Sequence, residues 1–334
     1  MLKKARIPAR QTECVIIIKK PVIPAKAGIQ KTVSPSTNGF RVRARNDGQN
    51  RKTAIATQSE IRSGGNHHTT KKLKNILKKY GKVLIAYSGG VDSTFLLKVA
   101  IDTLGKKNVI AATAISQTYP KNDLTSAKKI IKQFGIKHFF IKTNEMKNKK
   151  FIINNPDRCY WCKNELFKQL TELSKKHKID FVCDGTNYSD RNDYRPGMKA
   201  AEKWNIKHPL LESKLSKHNI RLLSKKLFLL TWNKEASPCL ASRFPYGYKI
   251  TSKKLKKISD AENELKRFKL KNLRLRDYDN TVRIEIDKNQ IAKIFQDDTY
   301  KKITGVLKKY YQYVTLDLEG YRTGSLNFTM TEIR

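Results

Sequence analysis

The sequence has no run of 18 consecutive apolar residues, so no segment is long enough to cross a membrane as a helix. The apolar run at residues 14–18 is shorter still, and it lacks the flanks of a secretion signal. Cysteine is scarce, at five in 334 residues, which does not suit a disulfide framework. We therefore expect a soluble, cytoplasmic protein whose cysteines are free, metal-bound or catalytic.

Acidic residues are scarce as well: 29 Asp and Glu against 70 Lys and Arg give a formal net charge of +41. A charge of this size invites a nucleic-acid partner. The excess of basic residues runs along the whole chain, however. Positions 1–70 have 14 basic and 3 acidic residues, and the other 264 positions have 56 basic and 26 acidic residues. We interpret most of it as a lysine-rich, solvated surface and do not expect nucleic acid as a partner. A polyanion partner is the alternative.

Residues 1–66 lack any sustained hydrophobic period and carry scattered Pro, Gly, Ser and Arg. This composition predicts a disordered, basic leader to which we assign no chemistry. It leaves open whether the leader belongs to the functional protein. The rest of the chain is long enough for two compact domains, which we predict at residues 67–245 and 246–334.

The first of these domains alternates short apolar runs with amphipathic, helix-like segments. That alternation predicts the α/β class, with a parallel sheet covered by helices on both faces. The predicted strands are residues 82–87, 108–114, 137–142, 180–183 and 208–211. Ligands bind beyond the carboxyl ends of such strands. The segments that follow them should therefore share one rim: residues 88–93, 115–121 and 184–187.

Two further segments complete the predicted layout. Residues 188–197 are predicted to form a polar loop on the same rim. This loop has more charge than a plain connection needs, from Asp190, Arg191, Asp193, Tyr194 and Arg195. A solvated loop with salt bridges is the alternative. After residue 246 the order becomes helix, two strands, helix and strand, which predicts a smaller α+β domain. These elements are predicted at residues 252–268, 273–276, 282–286, 290–308 and 313–318.

The sequence SGGVDS at residues 88–93 stands between a predicted strand and a predicted helix, and we call it the phosphate corner. Gly89 and Gly90 allow the backbone to approach an anion, and helix N–H groups with the hydroxyls of Ser88 and Ser93 offer donors. Asp92 beside bound phosphates suggests a Mg2+ ion between them. No lysine follows the glycines, so the Walker pattern is absent. A plain glycine turn with a capping aspartate is the alternative.

The spacing of the cysteines is the second signal. Cys159 and Cys162 form a CxxC pair, and Cys239 lies 77 residues beyond Cys162. A structural zinc site needs four ligands, and the sequence has no second CxxC pair. Three thiolates suit an iron-sulfur cluster with one open iron position, while cysteines as core filler are the alternative. Cys183 lies in an apolar strand and is assigned to the core, and Cys14 lies in the leader.

Charged residues near Cys239 and in the second domain form a third group. Arg243 shares the turn of Cys239, where a guanidinium would raise the thiolate fraction. Arg274 and Arg276 alternate on one strand and so share a face, with Arg283 on the next strand. Such pairs bind phosphate or carboxylate, and acidic residues that could pair with them are Glu262 and Glu285. Surface arginines on a two-stranded ribbon are the alternative.

These motifs resemble a known family. The corner resembles the SGGxDS signature of the PP-loop ATP pyrophosphatases. Four other stretches are similar to the LarE family of ATP-dependent sulfur transferases, and the likeness covers residues 70–320: they are NPDRCYWCK at 155–163, DGTN at 184–187, DYRPG at 193–197 and PCLASRFPYG at 238–247.

The resemblance implies a PP-loop domain with a smaller α+β domain, and synthesis of the nickel-pincer nucleotide, the cofactor of lactate racemase. ATP would adenylate a carboxylate of pyridinium-3,5-biscarboxylic acid mononucleotide, and sulfur would displace AMP to leave a thiocarboxylate. Cys159, Cys162 and Cys239 would hold a [4Fe-4S] cluster that carries an extra sulfide.

The same resemblance implies roles for single residues. ATP and Mg2+ would bind at Ser88, Gly89, Gly90, Asp92 and Ser93, with Asp92 on the metal. Cys239 and Arg243 would act in catalysis. The substrate would be bound by Arg243, Arg274, Arg276, Glu262 and Glu285. The partners we expect are the nucleotide substrate, a sulfide donor, other proteins of this biosynthesis and further copies of the chain in a homo-oligomer.

Three alternatives stay open. A PP-loop tRNA thiolase would share the adenylation and the cysteines, and the net charge would suit it, but no RNA-binding module is recognisable. A non-catalytic RNA-binding protein on this fold is disfavoured by the intact Ser88, Asp92 and Ser93. An amide-forming PP-loop enzyme that uses ammonia would not need the three cysteines.

Overall fold

The structure is a computed structural model that describes residues 67–119, 121–192 and 196–326. All of these belong to one compact unit, Thr53–Arg334. The predicted leader at residues 1–66 lies outside the described residues, and so do Asp193, Tyr194 and Arg195 of the predicted polar loop. Within the described ranges, no helix is both long and apolar enough to cross a bilayer.

A four-stranded parallel sheet forms the centre of the first part of the chain. Its strands are β1 (Val83–Ala86), β2 (Val109–Ile115), β3 (Lys137–Lys142) and β4 (Phe181–Cys183), in the order β3-β2-β1-β4. In the middle of the sheet, Val83 pairs with Val109 on one side and with Phe181 on the other. The predicted α/β class and the parallel sheet are confirmed.

Helices cover this sheet on both faces because side chains alternate across its strands. Val83 and Ile85 of β1 point into one core, and Leu84 points into another. The helices are α1 (described over 67–80), α2 (Val91–Leu104), α3 (Lys121–Phe134), α4 (Lys149–Ile152), α5 (Arg158–Lys176), α6 (Gly197–Lys203), α7 (Pro209–Glu212) and α8 (Lys217–Lys226).

The predicted strand at residues 208–211 is wrong. Residues Pro209–Glu212 form the short helix α7, with the proline in its first turn. Proline suits that position because its missing N–H would have no helical partner there. Only Lys207 joins the sheet, through an isolated parallel bridge to Cys183. An apolar run of four residues does not distinguish a strand from a buried helical turn.

A second, three-stranded sheet lies in the C-terminal part. Strand β5 (Arg274–Tyr278) is antiparallel to β6 (Thr281–Glu285), and β6 is parallel to β7 (Tyr313–Leu316). Helices α9 (Ser252–Leu265), α10 (Ile291–Ile294) and α11 (Thr299–Leu307) share its core. The α+β pattern is confirmed. Phe151 and Leu240, from the first part, also enter this core, and the boundary at residues 245 and 246 stays a prediction.

The predicted continuous helix at residues 290–308 is also wrong. The chain forms α10 and α11 with a break between them, where Asp297 and Asp298 have φ of 51° and 54°. A left-handed conformation is incompatible with a continuing right-handed helix, and Asp tolerates it better than most residues. The break brings α11 against α9, where Ile303, Val306 and Leu307 are buried.

Candidate functional site

A cavity of about 790 Å³ opens at the carboxyl ends of the parallel strands, the rim that the sequence predicted. We call it the large cavity. Ser88, Asp92 and Ser93 line it from the phosphate corner, and Cys162 and Cys239 line it from other segments. Its volume is within the range that holds a nucleotide-sized ligand. The structure therefore brings the corner and two of the three predicted cysteines to one cavity.

The phosphate corner has the geometry that an anion site needs. Gly89 has a φ of +65°, and a Cβ atom there would lie 2.9 Å from the Cβ of Ala127. Gly90 is the N-cap of α2, so the free N–H groups of the first helical turn face the corner. The hydroxyls of Ser88 and Ser93 lie 3.1 Å apart. Only glycine at position 89 allows both this turn and its contact with α3.

Asp92 stands in the first turn of α2 with its two oxygens in different situations. Oδ2 is paired with Nζ of Lys217 at the start of α8. Oδ1 is buried and has no hydrogen-bond partner among the described residues. A buried carboxylate oxygen without a partner is costly, and hard oxygen donors are what Mg2+ prefers. The corner therefore fits a Mg2+ ion bound through Asp92.

The loop after β4 closes the opposite side of the corner. Gly185 approaches α2 so closely that a Cβ atom there would lie 3.0 Å from the backbone N of Ser93. Beside it, Asp184 Oδ1 lies 2.7 Å from Nδ1 of His208, and Oδ2 lies 3.3 Å from Nζ of Lys163. Burial would raise the pKa of Asp184, but the charge of Lys163 and the bond to His208 hold it well below its usual range. An ionised Asp184 thus fixes Lys163, which also lines the large cavity.

Lys163 and His208 had no predicted role. The signal for Lys163 was its place directly after Cys162, on the same first turns of α5. His208 and Asp184 are 24 residues apart, and only the fold shows that they meet. Asp184 was quoted in a family motif but given no function.

The three predicted cysteines come together. Cys159 and Cys162 lie in the first turns of α5, and Cys239 is the N-cap of a short turn of 3-10 helix, Leu240–Arg243. The side chain of Cys159 is exposed, whereas Cys162 and Cys239 are partly buried. Burial, Glu145 and the other two thiols raise the pKa of Cys162 well above its usual value. Cys162 and Cys239 line the large cavity, which Cys159 does not.

The donor set consists of three thiols, which is the kind of ligand that holds iron-sulfur clusters. Across the described ranges, no group of three or more His, Cys, Asp or Glu side chains is arranged to hold one metal ion. Cys159 and Cys162 supply two thiols from one helix, and Cys239 supplies the third from the short turn that it caps. Cys183 is fully buried in the core, as predicted.

Arg243 is buried and fully engaged with the protein. Its Nε and Nη2 atoms donate to the two carboxylate oxygens of Glu262, each at 3.0 Å. Its Nη1 atom donates to the carbonyl of Pro238 at 2.9 Å and, at 3.3 Å, to that of Cys239. With 3% of its surface exposed, Arg243 fixes the backbone around Cys239 to α9. This is a positioning contact, and it does not reach into the large cavity.

The remaining predicted residues lie on the second sheet. Arg274 donates to the carbonyls of Leu273 and Ala236, and its Nε is buried without a partner. Together with Arg243 and Glu262, it lines a second, small cavity of about 300 Å³. Ala236 lines both this small cavity and the large one. Arg243, Glu262 and Arg274 therefore line a cavity that shares Ala236 with the large one.

Arg276 and Glu285 form a separate buried pair. Nη2 of Arg276 lies 2.7 Å from Oε2 of Glu285, and Nη2 of Arg283 lies 3.0 Å from Oε1. Burial would raise the pKa of Glu285, but the bond to Arg276 and the charges of both arginines hold it below its usual value. Arg276 also donates to the carbonyl of Ser242 at 2.6 Å. These two residues line neither cavity.

Comparison with known proteins adds the family. A family model for NAD synthase matches residues 66–154, which include the phosphate corner and the first three strands. The pyridinium-3,5-bisthiocarboxylic acid mononucleotide synthase of Lactiplantibacillus plantarum is 33% identical over 258 residues, 77% of this chain and 92% of that protein. The chain belongs to the LarE family. The family resemblance seen in the motifs is thereby confirmed, and with it a PP-loop ATP-pyrophosphatase type of enzyme.

Two further relatives show how far the likeness extends. An uncharacterised protein of Synechocystis sp. is 42% identical over 265 residues, 78% of this chain and 98% of that protein. A glutamine-dependent NAD(+) synthetase of Aquifex aeolicus is 31% identical over only 104 residues, 16% of its own length. The Lactiplantibacillus and Synechocystis proteins match the chain over most of their length, whereas the NAD synthetase shares only a short segment with it.

Proposed function

We propose that this LarE-family chain is an ATP-dependent sulfur transferase. It converts the carboxylates of pyridinium-3,5-biscarboxylic acid mononucleotide into thiocarboxylates for the nickel-pincer cofactor of lactate racemase. The observation that carries the proposal is that one cavity is lined by Asp92 and Ser93 of the phosphate corner and by Cys162 and Cys239. An activating site and a sulfur site that share one cavity allow an activated carboxylate to be attacked without release.

In the first step the phosphate corner holds ATP through the N–H groups at the start of α2, Ser88 and Ser93. A substrate carboxylate oxygen attacks the α-phosphorus, the bond to the bridging oxygen breaks, and pyrophosphate leaves. Lys217 and Lys163 face this cavity as cations, where they offset charge on the phosphates. Mg2+ at Asp92 Oδ1, when bound, supplies further neutralisation of the leaving pyrophosphate.

In the second step sulfur attacks the acyl carbon of the adenylate, and AMP leaves. Cys159, Cys162 and Cys239 are the residues that would hold a [4Fe-4S] cluster, which when bound supplies the sulfide. The contacts of Arg243 with the carbonyls of Pro238 and Cys239 hold this part of the chain in place. Arg274, whose Nε is buried and unpartnered beside the small cavity, is the group best placed to bind a substrate phosphate there.

The proposal includes the partners and the domain layout that the sequence suggested. The sulfide consumed in each cycle comes from an external donor, the chain acts as a homo-oligomer, and the PP-loop domain ends near residue 245. Other proteins of the same biosynthesis would deliver the substrate and receive the product.

The test is anaerobic reconstitution with iron and sulfide, followed by ATP, Mg2+ and the biscarboxylated pyridinium nucleotide. We expect a cluster absorption band, AMP and pyrophosphate released only with substrate, and a thiocarboxylate product in the mass spectrum. Cys159→Ala should lose the band and repeated turnover, whereas the matched core variant Cys183→Ala should keep both. Absence of both the band and the thiocarboxylate from the wild-type protein would overturn the proposal, and thiolation of added tRNA instead would favour a tRNA thiolase.

A further inference from the structure

Glu145 is a buried acid that no step above uses. It begins a turn of 3-10 helix after strand β3 and has 1% of its surface exposed. Its Oε1 atom accepts a hydrogen bond of 2.9 Å from the hydroxyl of Thr118. Its Oε2 atom is buried and has no hydrogen-bond partner among the described residues. A carboxylate in that situation is strongly destabilised unless a ligand supplies the missing partner.

Glu145 lies where the sulfur chemistry would take place. It lines the large cavity together with Thr118, Cys162 and Cys239. Burial and, after it, the charge of Glu145 raise the pKa of the Cys162 thiol. Thr118 ties this end of the cavity to the cysteine segment, because its carbonyl accepts a hydrogen bond of 2.8 Å from the backbone N of Leu240. A group that meets Oε2 therefore lies in the same cavity as Cys162 and Cys239.

The charge of the site decides what that group is. The phosphates and the carboxylates of the substrate are anionic, and a buried carboxylate repels them. The carboxylates to be converted are attached to the ring, so the ring itself must lie close to the cysteines when sulfur attacks. In a pyridinium nucleotide that ring carries a positive charge. The two lysines that line this cavity, Lys163 and Lys217, pair with Asp184 and Asp92, so Oε2 of Glu145 is open to a ligand.

We propose that Glu145 recognises the positive charge of the substrate ring and so selects a pyridinium over a neutral aromatic ring. This rests on the proposed function for the identity of the substrate. The contact also orients the ring: with its charged centre towards Glu145, a carboxylate of the ring can face Cys162 and Cys239. Glu145 is thus a specificity residue at the sulfur end of the cavity.

The test compares two ligands on three proteins. The ligands are the biscarboxylated pyridinium nucleotide and an isostere in which a benzene ring replaces the pyridinium, and both are titrated calorimetrically with a non-hydrolysable ATP analogue bound. The proteins are the wild type, Glu145→Gln and Glu172→Gln. Glutamine keeps the size of the side chain and an oxygen that accepts from Thr118. Glu172 is an exposed acid on α5 that does not line the large cavity.

We expect Glu145→Gln to weaken binding of the pyridinium ligand by about tenfold to 100-fold and to leave binding of the neutral isostere within about threefold. Glu172→Gln should change neither. Equal losses for both ligands, or no loss for either, would overturn the proposal. If Glu145→Gln weakened only the binding of the ATP analogue, the proposal would also be overturned, because Oε2 would then be the partner of an amino group of that nucleotide.

The outcomes separate this inference from the proposed function. A wild-type protein that makes thiocarboxylate while Glu145→Gln shows no ring selectivity would remove only the role of Glu145. A wild-type protein that makes no thiocarboxylate, but discriminates between the rings through Glu145, would remove only the reaction.

Discussion

Replacement of Arg243 by methionine should destabilise the protein because of the ion pair that it leaves broken. Arg243 is 3% exposed, and the side chain of Glu262 is 13% exposed. Methionine would leave that partly buried carboxylate with one hydrogen bond, from the backbone N of Leu275, and without the two from Arg243. Breaking a buried pair costs about 3–5 kcal/mol. It would also free the carbonyls of Pro238 and Cys239. We expect a loss of this size in the free energy of unfolding, measured by denaturant titration.

A double-mutant cycle isolates the pair. Glu262→Gln alone should also destabilise the protein, because it leaves the buried guanidinium of Arg243 without its counter-charge. In the double variant neither charge is left unpaired, so its loss should fall short of the sum of the single losses by about 2 kcal/mol or more. Losses that add to within about 0.5 kcal/mol would refute the buried ion pair as a stabilising unit. Arg243 would then be held by other contacts and be free to serve the substrate directly.

Three further outcomes follow from the same geometry. Gly89→Ala should lower the free energy of unfolding by about 2–4 kcal/mol, because it adds a left-handed alanine and a clash with Ala127. The control Gly81→Ala, at a position with φ of +68° and open space around it, should lower it by about 1 kcal/mol. Equal losses in a denaturant titration would contradict the clash. Burial lowers the pKa of His138 to about 4, below its unfolded value of about 6.5. This residue should therefore make the free energy of unfolding fall by at most about 2 kcal/mol as the pH drops from 6.5 to 4. His138→Gln should lack that fall, and an unchanged pH profile in the variant would argue against burial of a neutral ring. The pKa of Asp184 is held below its unfolded value of about 3.9. The difference in the free energy of unfolding between the wild type and Asp184→Asn should therefore be largest above pH 4 and shrink as the pH falls below 4. Urea titrations at several pH values measure it, and a difference independent of pH would contradict an ionised Asp184.

The sequence was sufficient to predict the structure wherever the residues that form a feature are contiguous in the chain. The corner at residues 88–93 combines its glycines, hydroxyls and acid within six positions, so its local geometry followed from residue types alone. The parallel sheet followed from alternating runs. Sequence was insufficient for 208–211, where a buried apolar turn and a buried strand have the same composition, and for the break at Asp297 and Asp298.

Pairs that meet only through the fold could not be predicted. Glu145 and Thr118 are 27 positions apart, and neither stood out in a chain of mostly polar residues. The partners of Arg243 show a related difficulty. The resemblance to LarE proteins assigned Arg243 and Glu262 to the substrate, while the structure has them bonded to each other. Residue type indicates that an arginine binds an anion, but only three-dimensional contacts tell whether that anion belongs to a ligand or to the protein.

The segment at residues 234–240 connects the two halves of the site. Lys234 donates to the carbonyl of Gly89 in the phosphate corner at 3.0 Å, and the carbonyl of Ala236 accepts from Arg274 on the second sheet. Arg243 holds its far end at Pro238. Residues 236 and 237 also line the small cavity, and residues 236 and 239 line the large one. This short segment is therefore in direct contact with the phosphate corner, with the second sheet and with both cavities, which explains why Cys239 is held beside a corner that lies about 150 positions earlier in the chain.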